Sequence, residues 1–214
     1  MEKKICKKYS LDRMREEWGG DRLSEIIVGK KIYEFKEVSS TMDVVKSKFA
    51  TDSGVVVVSE KQSKGIGRFN RAWYSQGGKD LLFSYVLTLP INNIHTMIYK
   101  NSLSLFKTVS KLVDAHFLIK WPNDIYCDNY KIGGILTKTE ILSKTAQVIV
   151  GVGLNVNSDQ GFFMDRKLKA TSLKCLTGKI YQKREILYHF LNELNLMLSN
   201  RFKENEIFSQ WKNS

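Results

Sequence analysis

The sequence predicts an α+β domain built on a mixed β-sheet that helices cover mainly on one side. Short β-branched and aromatic runs cluster in the middle of the chain, and segments with helical spacing of apolar residues surround them. No low-complexity linker or internal repeat divides the 214 residues, and that length suits one domain with a sizeable core.

Residues 1–30 read as a helical lead-in, with the charged run Asp12–Glu17 stopping at Gly19-Gly20. This segment has too few periodic apolar positions for a helix-turn-helix domain. Ile32-Tyr33-Glu34-Phe35 alternates as a strand, and Ser39-Ser40-Thr41 offers N-caps for a helix through about Phe49. Val55–Val58 is an unbroken β-branched run, expected as a buried strand. Leu81–Leu87 is a second strand, ended by Pro90. From Thr96 to about Ala115 apolar residues recur at helical spacing, and Phe117–Trp121 is a short strand. Ile125–Cys127 and Lys131–Glu140 form a hairpin around Asp128-Asn129-Tyr130, and Gln147–Leu154 is a further strand. The stretch from Lys183 to about Phe208 is one amphipathic helix, with Leu187, Phe190, Leu191, Leu194 and Leu198 on one face.

Composition excludes several classes. No apolar run approaches the ~18 residues of a membrane-spanning helix, and Met1–Lys8 lacks the apolar stretch of a signal peptide. Cys6, Cys127 and Cys175 are odd in number and far apart, so they make neither a zinc-type pair nor a disulfide framework; a reducing cytoplasm is expected. The net charge of +12 points to an anionic partner (nucleic acid, nucleotide or acidic protein surface), or to a lysine-rich surface with no partner.

Two polar clusters carry chemistry. Lys120-Trp121-Pro122-Asn123-Asp124 is followed by Lys131-Ile132-Gly133-Gly134-Ile135-Leu136, a concentration of cations and special-geometry residues that suits an anion site. Gly65-Ile66-Gly67-Arg68-Phe69-Asn70-Arg71-Ala72-Trp73 leaves the valine strand as a basic glycine loop. Its glycines allow close backbone approach, its arginines offer planar donor forks for phosphate or carboxylate, and Trp73 offers a stacking face. No Walker A sequence occurs, and Asn70 breaks the dinucleotide-binding fingerprint. On spacing alone a solvated basic hairpin is the more common explanation of this loop. Ser40-Thr41 alone is equally a helix N-cap, and Gly133-Gly134 alone equally a strand bulge, whereas Trp121 is expected to pack in the core rather than to touch a ligand.

Together, and in this order, the clusters resemble the biotin protein ligase family. That family carries a Gly-Arg-Gly-Arg-x-x-Arg-x-Trp loop, a Lys-Trp-Pro-Asn-Asp segment with a following Lys-x-x-Gly-Ile-Leu, and a Gly-x-Gly-x-Asn strand end. Here these stand as Gly65–Trp73, Lys120–Asp124, Lys131–Leu136 and Gly151–Asn157, with Ser40-Thr41-Met42 matching an upstream Ser-Thr-Asn. The resemblance implies a catalytic domain over residues 31–214 with the class II aminoacyl-tRNA synthetase/biotin synthetase-like fold.

It also implies a reaction. Biotin and ATP, the latter with Mg2+, give biotinyl-5′-AMP, and a lysine of a biotin carboxyl carrier protein then takes the biotinyl group. Lys131 and Arg68 are the implied catalytic cations, the second on a lid that keeps water from the anhydride. Ser40, Thr41, Met42, Gln62, Gly65, Ile66, Gly67, Arg68, Lys131, Gly133, Gly134 and Ile135 are the implied biotin contacts. Arg68, Arg71, Trp73, Lys120, Asn123, Lys131 and Asn155 are the implied ATP and adenylate contacts, and no protein metal ligand is implied.

The chain departs from the family pattern in four ways. Ile66 replaces a common arginine, and Met42 an asparagine, leaving a thioether that packs but barely hydrogen-bonds. No N-terminal DNA-binding domain is expected, so DNA is not an expected partner. The sequence stops at Gln210–Ser214, where the family continues into an SH3-like barrel. A homodimer is possible. The alternatives are a lipoate–protein ligase-like acyl transferase, and a non-catalytic biotin- or nucleic-acid-binding protein.

Overall fold

The unbroken valine run is explained by cover on both faces. In the computed structural model, which describes residues 5–18, 27–199, 204–212 and 214, Val56 packs into a large core on one side of a sheet. Val55 and Val57 pack into a smaller core on the other side. The elements run β1 (Ile5–Tyr9), α1 (Leu11–Trp18), β2 (Lys31–Val38), α2 (Thr41–Lys48), β3 (Val55–Gln62), β4 (Leu81–Pro90), α3 (Met97–Leu112), β5 (Phe117–Lys120), β6 (Asp124–Cys127), β7 (Tyr130–Leu142) and β8 (Thr145–Leu154), followed by α4 (Gln160–Asp165), α5 (Leu173–Thr177), α6 (Lys183–Leu198) and α7 (Glu204–Lys212).

One eight-stranded sheet results, in the order β1-β2-β3-β4-β8-β7-β6-β5. β2 and β3 pair in parallel and every other neighbouring pair is antiparallel, so the sheet is mixed as expected. α3 and α6 cover one face. Leu105 and Val109 of α3 and Phe190, Leu191 and Leu194 of α6 meet Phe83, Tyr85, Val150 and Val152 of the sheet. Phe83 and Phe190 make an edge-to-face pair at 5.1 Å. On the opposite face α2 covers one end only, with Met42, Val44 and Val45 against Phe35, Val86 and Ile149.

The structure revises four expectations. The lead-in contains a strand: β1 pairs along β2, from Tyr9 opposite Ile32 to Ile5 opposite Phe35. Its lysines and exposed residues suit a sheet edge, but only the neighbouring β2 makes it a strand. α1 follows as expected, with Leu11 and Met14 fully buried; its predicted stop at Gly19-Gly20 lies outside the described residues. The hairpin turn is tighter than predicted, because Tyr130 already pairs with Cys127 and Asp128 supplies the left-handed residue. The long C-terminal helix is two helices: α6 ends at Ser199, whose backbone is extended at ψ 150°, and α7 packs Ile207 beside Leu103 and Met197. Trp121 is not core: it is 61% exposed, stacked on Tyr99 and edge-on to Trp211.

Asn195 of α6 holds the chain entering β2. Its Oδ1 accepts from the backbone N–H groups of Ile27 (2.7 Å) and Val28 (2.9 Å), and its Nδ2 donates to the carbonyls of Val28 (2.8 Å) and Leu191 (2.7 Å). All four side-chain bonds are made in the core, so truncation strands buried backbone groups. Asn195→Ala is expected to lower unfolding free energy by about 2–4 kcal/mol. Urea denaturation measures this, and a loss under about 0.5 kcal/mol would refute it.

Candidate active site

The face that α2 leaves uncovered carries a cavity of about 360 Å3. Its floor is β7 and β8, where Gly134 pairs with Gly153 and Leu136 with Gly151. Two of these positions need glycine for space. A Cβ on Gly153 would stand 2.5 Å from Cε2 of Trp73, and one on Gly151 would stand 2.7 Å from Sδ of Met42. The glycine pair at the end of β8 therefore lets the Trp73 indole and the Met42 thioether lie directly on the sheet.

Lys131 reaches this face because of a bulge. Tyr126 lies opposite Lys131 and Asp124 opposite Gly134, so two steps on β6 match three on β7. The additional residue is Ile132, which is fully buried. Strict alternation would put Lys131 and Gly134 on opposite faces; the bulge puts them on the same one. The Lys131 ammonium then lies 2.8 Å from Oδ2 of Asp124 and 5.4 Å from the Trp73 ring centroid. The bulge falls immediately before the Gly133-Gly134 pair.

The glycine loop closes the cavity mouth. Its base is held by Trp73 N–H donating to Gly65 O (2.9 Å), and its tip by Gly67 N–H donating to Arg71 O (2.8 Å). Arg68 Nη1 donates to Asn123 Oδ1 at 3.2 Å. Asn123 is fixed in turn, since its Nδ2 donates to Ile135 O and its carbonyl accepts from Ile135 N–H at 2.9 Å. The loop is thus a small hairpin whose first arginine is tied to the β5–β6 turn.

The far end of the cavity is polar. Gln62 Oε1 accepts from Thr41 N–H (2.7 Å) and from Thr41 Oγ1 (3.0 Å), and Thr41 Oγ1 also meets Ser84 Oγ at 2.7 Å. Ser40 stands at the N-cap of α2, but its side chain makes no cap bond, so its hydroxyl is left to the cavity it lines. Asn155 donates to Thr171 O at 2.9 Å, whereas its Oδ1 and the Trp73 Nε1 are buried without a partner among the described residues. Unpaired buried polar atoms beside a cavity are groups a ligand can satisfy.

Of the residues expected from sequence, Ser40, Thr41, Met42, Gln62, Ile66, Gly67, Arg68, Arg71, Trp73, Asn123, Lys131, Gly134, Ile135 and Asn155 line this one cavity. Three do not. Gly65 anchors the loop base, Gly133 faces Leu154 and Leu105 on the core side, and Lys120 sets its ammonium 4.8 Å from the Tyr126 ring centroid. The cavity has a further wall, from Phe163, Leu168, Lys169 and Ala170, outside the sequence motifs. That wall is brought in by pairing of Lys131 with Ala170, for which no motif gives a signal. Asp124 was legible beside Asn123, and strand alternation from Gly134 points to Leu136.

The loop after β8 is held by carboxylates. Asp80 is buried and accepts from Val156 N–H (3.0 Å), Ser158 Oγ (2.6 Å) and Gln76 N–H (3.1 Å); burial raises its pKa against those bonds. Asp159 is bound by Lys174 at 2.6 Å and by Lys79, and these hydrogen bonds hold its carboxyl down to about 2.

Residues 34–155 match the model of the biotin/lipoate A/B protein ligase family. The chain belongs to this family. It is 32% identical over 142 residues to the bifunctional ligase/repressor BirA of Bacillus subtilis, covering 64% of this chain and 44% of that protein. It is 35% identical over 182 residues to biotin–protein ligase 2 of Arabidopsis thaliana, covering 79% and 54%. The chain thus spans about half the length of these relatives. The solved biotin protein ligase of Aquifex aeolicus, in complex with biotin and ATP, matches with TM-score 0.69 and 29% identity, over 84% of this chain and 76% of that one. The family fold expected from the motifs is therefore present.

The low pKa of Asp159 sets an acid dependence. Its folded value lies below the ordinary 3.8, so its stabilising contribution is complete above 3.8 and is lost as pH falls toward 2. Asp159→Asn is expected to lose less stability than wild type across that interval in urea denaturation. Parallel losses would refute the assignment.

Proposed function

We propose that this domain activates biotin with ATP to biotinyl-5′-AMP and transfers the biotinyl group to a lysine of a biotin carboxyl carrier protein. The observation that supports this most is Lys131 and Arg68 facing one cavity whose far end is polar and whose floor carries an aromatic ring. Biotin's carboxylate and the α-phosphate of ATP repel each other, so the reaction needs fixed cations where they meet. Lys131, oriented by Asp124, would bridge them. A carboxylate oxygen would attack the α-phosphorus as the bond to pyrophosphate breaks. The amine of the carrier lysine would then attack the acyl carbon, releasing AMP.

Arg68 and Arg71 would hold phosphate oxygens at the mouth and exclude water from the anhydride. Ser40, Thr41 and Gln62 would bind the ureido head beside the Met42 thioether, with the main chain of Gly134 and Ile135 along the acyl chain. Trp73 would lie against adenine. The unpaired Oδ1 of Asn155 is an acceptor suited to the adenine amino group. Magnesium would enter with ATP as the substrate complex. Among the described residues no three His, Cys, Asp or Glu side chains gather as a resident metal site. A +12 chain would attract an acidic carrier. A cytoplasmic setting fits cysteines that are not joined in disulfides. Among the described residues no helix is long and apolar enough to cross a membrane. DNA binding is not part of this reading, and the exposed edge strand β1 would serve a homodimer or a carrier contact.

Incorporation of labelled biotin into an acceptor carrier domain, with and without ATP, tests the reading. ATP-dependent labelling is expected; no labelling, or calorimetric heat with lipoate and none with biotin, overturns it. Lys131→Ala is expected to cut pyrophosphate release by about a hundredfold or more with an unchanged circular dichroism spectrum. Near-wild-type release would remove Lys131 from its role.

A further inference from the structure

Phe69 stands at the tip of the glycine loop with 79% of its surface exposed, so it adds nothing to the core. Its backbone is left-handed at φ 55°, and Asn70 follows at φ 56°. That conformation is disfavoured for a bulky residue, whereas Asn tolerates it. An exposed aromatic in a disfavoured conformation needs a reason outside the core.

The neighbours of the ring supply one. The Arg68 guanidinium carbon lies 4.9 Å from the ring centroid and that of Arg71 lies 6.0 Å from it. Two guanidiniums at one cavity mouth repel, and the negative π-system of the Phe69 ring attracts each of them. Arg68 is held from its other side by Asn123. The left-handed turn at Phe69 and Asn70 is what brings Arg71 back beside Arg68, closed by Arg71 N–H donating to Arg68 O at 3.1 Å.

We propose that Phe69 is a positioning residue: its ring gathers Arg68 and Arg71 into one phosphate-binding pair before the nucleotide arrives. This rests on the ATP-binding part of the proposed function and adds a residue to it. A π-face is the required property, so leucine, with similar apolar bulk, does not replace phenylalanine and tyrosine does.

Calorimetric titration of wild type, Phe69→Leu, Phe69→Ala and Phe69→Tyr with ATP, and separately with biotin, tests this. The Leu and Ala variants are expected to bind ATP about fivefold more weakly. The Tyr variant should stay within about twofold of wild type, and all four should bind biotin alike. A Leu variant equal to wild type overturns the proposal. So does a Tyr variant as weak as Ala, an equal loss of biotin affinity, or a wild type that binds no ATP. A wild type that binds ATP but labels no carrier sinks the ligase reading and leaves the positioning role standing.

Discussion

Ile132 lies in the core, and because β6 has no residue to match it, Lys131 emerges on the same face as Gly134. Most of the site depends on that one irregularity. Without it the ammonium would point into the apolar layer under α3, where a charge without a partner is costly. With it, the ammonium pairs with Asp124 and stands over Trp73. Burial of one isoleucine thus fixes the position of a cation, because a strand cannot slip its register without exposing its core face.

The uneven cover of the sheet makes room for this. α3 and α6 bury one whole face, while α2 buries only an end of the other. The remainder carries glycines where a core would carry branched residues, and there the Trp73 ring and the Met42 thioether meet backbone directly. The same glycines that would weaken a strand give the site its depth. Arg68, Asn123 and Ile135 then join the mouth to the floor through side-chain and backbone bonds, so the loop is registered to the sheet rather than to solvent.

Much of this was legible beforehand. Period-two and unbroken apolar runs located β2, β3, β4 and β8, because those strands meet the core through their own side chains. β1 was not legible: its residues are mostly exposed, and pairing with β2 alone makes it a strand. The break between α6 and α7 was missed because the apolar spacing resumes beyond it. Trp121 departs from the expectation because an aromatic beside Pro122 reads as core, whereas it stacks on Tyr99 and meets Trp211 edge-on at the surface.

By itself the sequence determined the family, the order of the elements and most of the residues around the cavity, since glycine, arginine and tryptophan at fixed spacing are chemically distinctive. Only the tertiary structure decided which way those residues face. Gly133 and Gly134 are adjacent in the chain, yet one faces the core and the other the cavity. Lys120 and Lys131 are both cations of the same motif region, yet only the second reaches the cavity. The reason is that a side chain's direction in a sheet is set by register, and register is set by the partner strand.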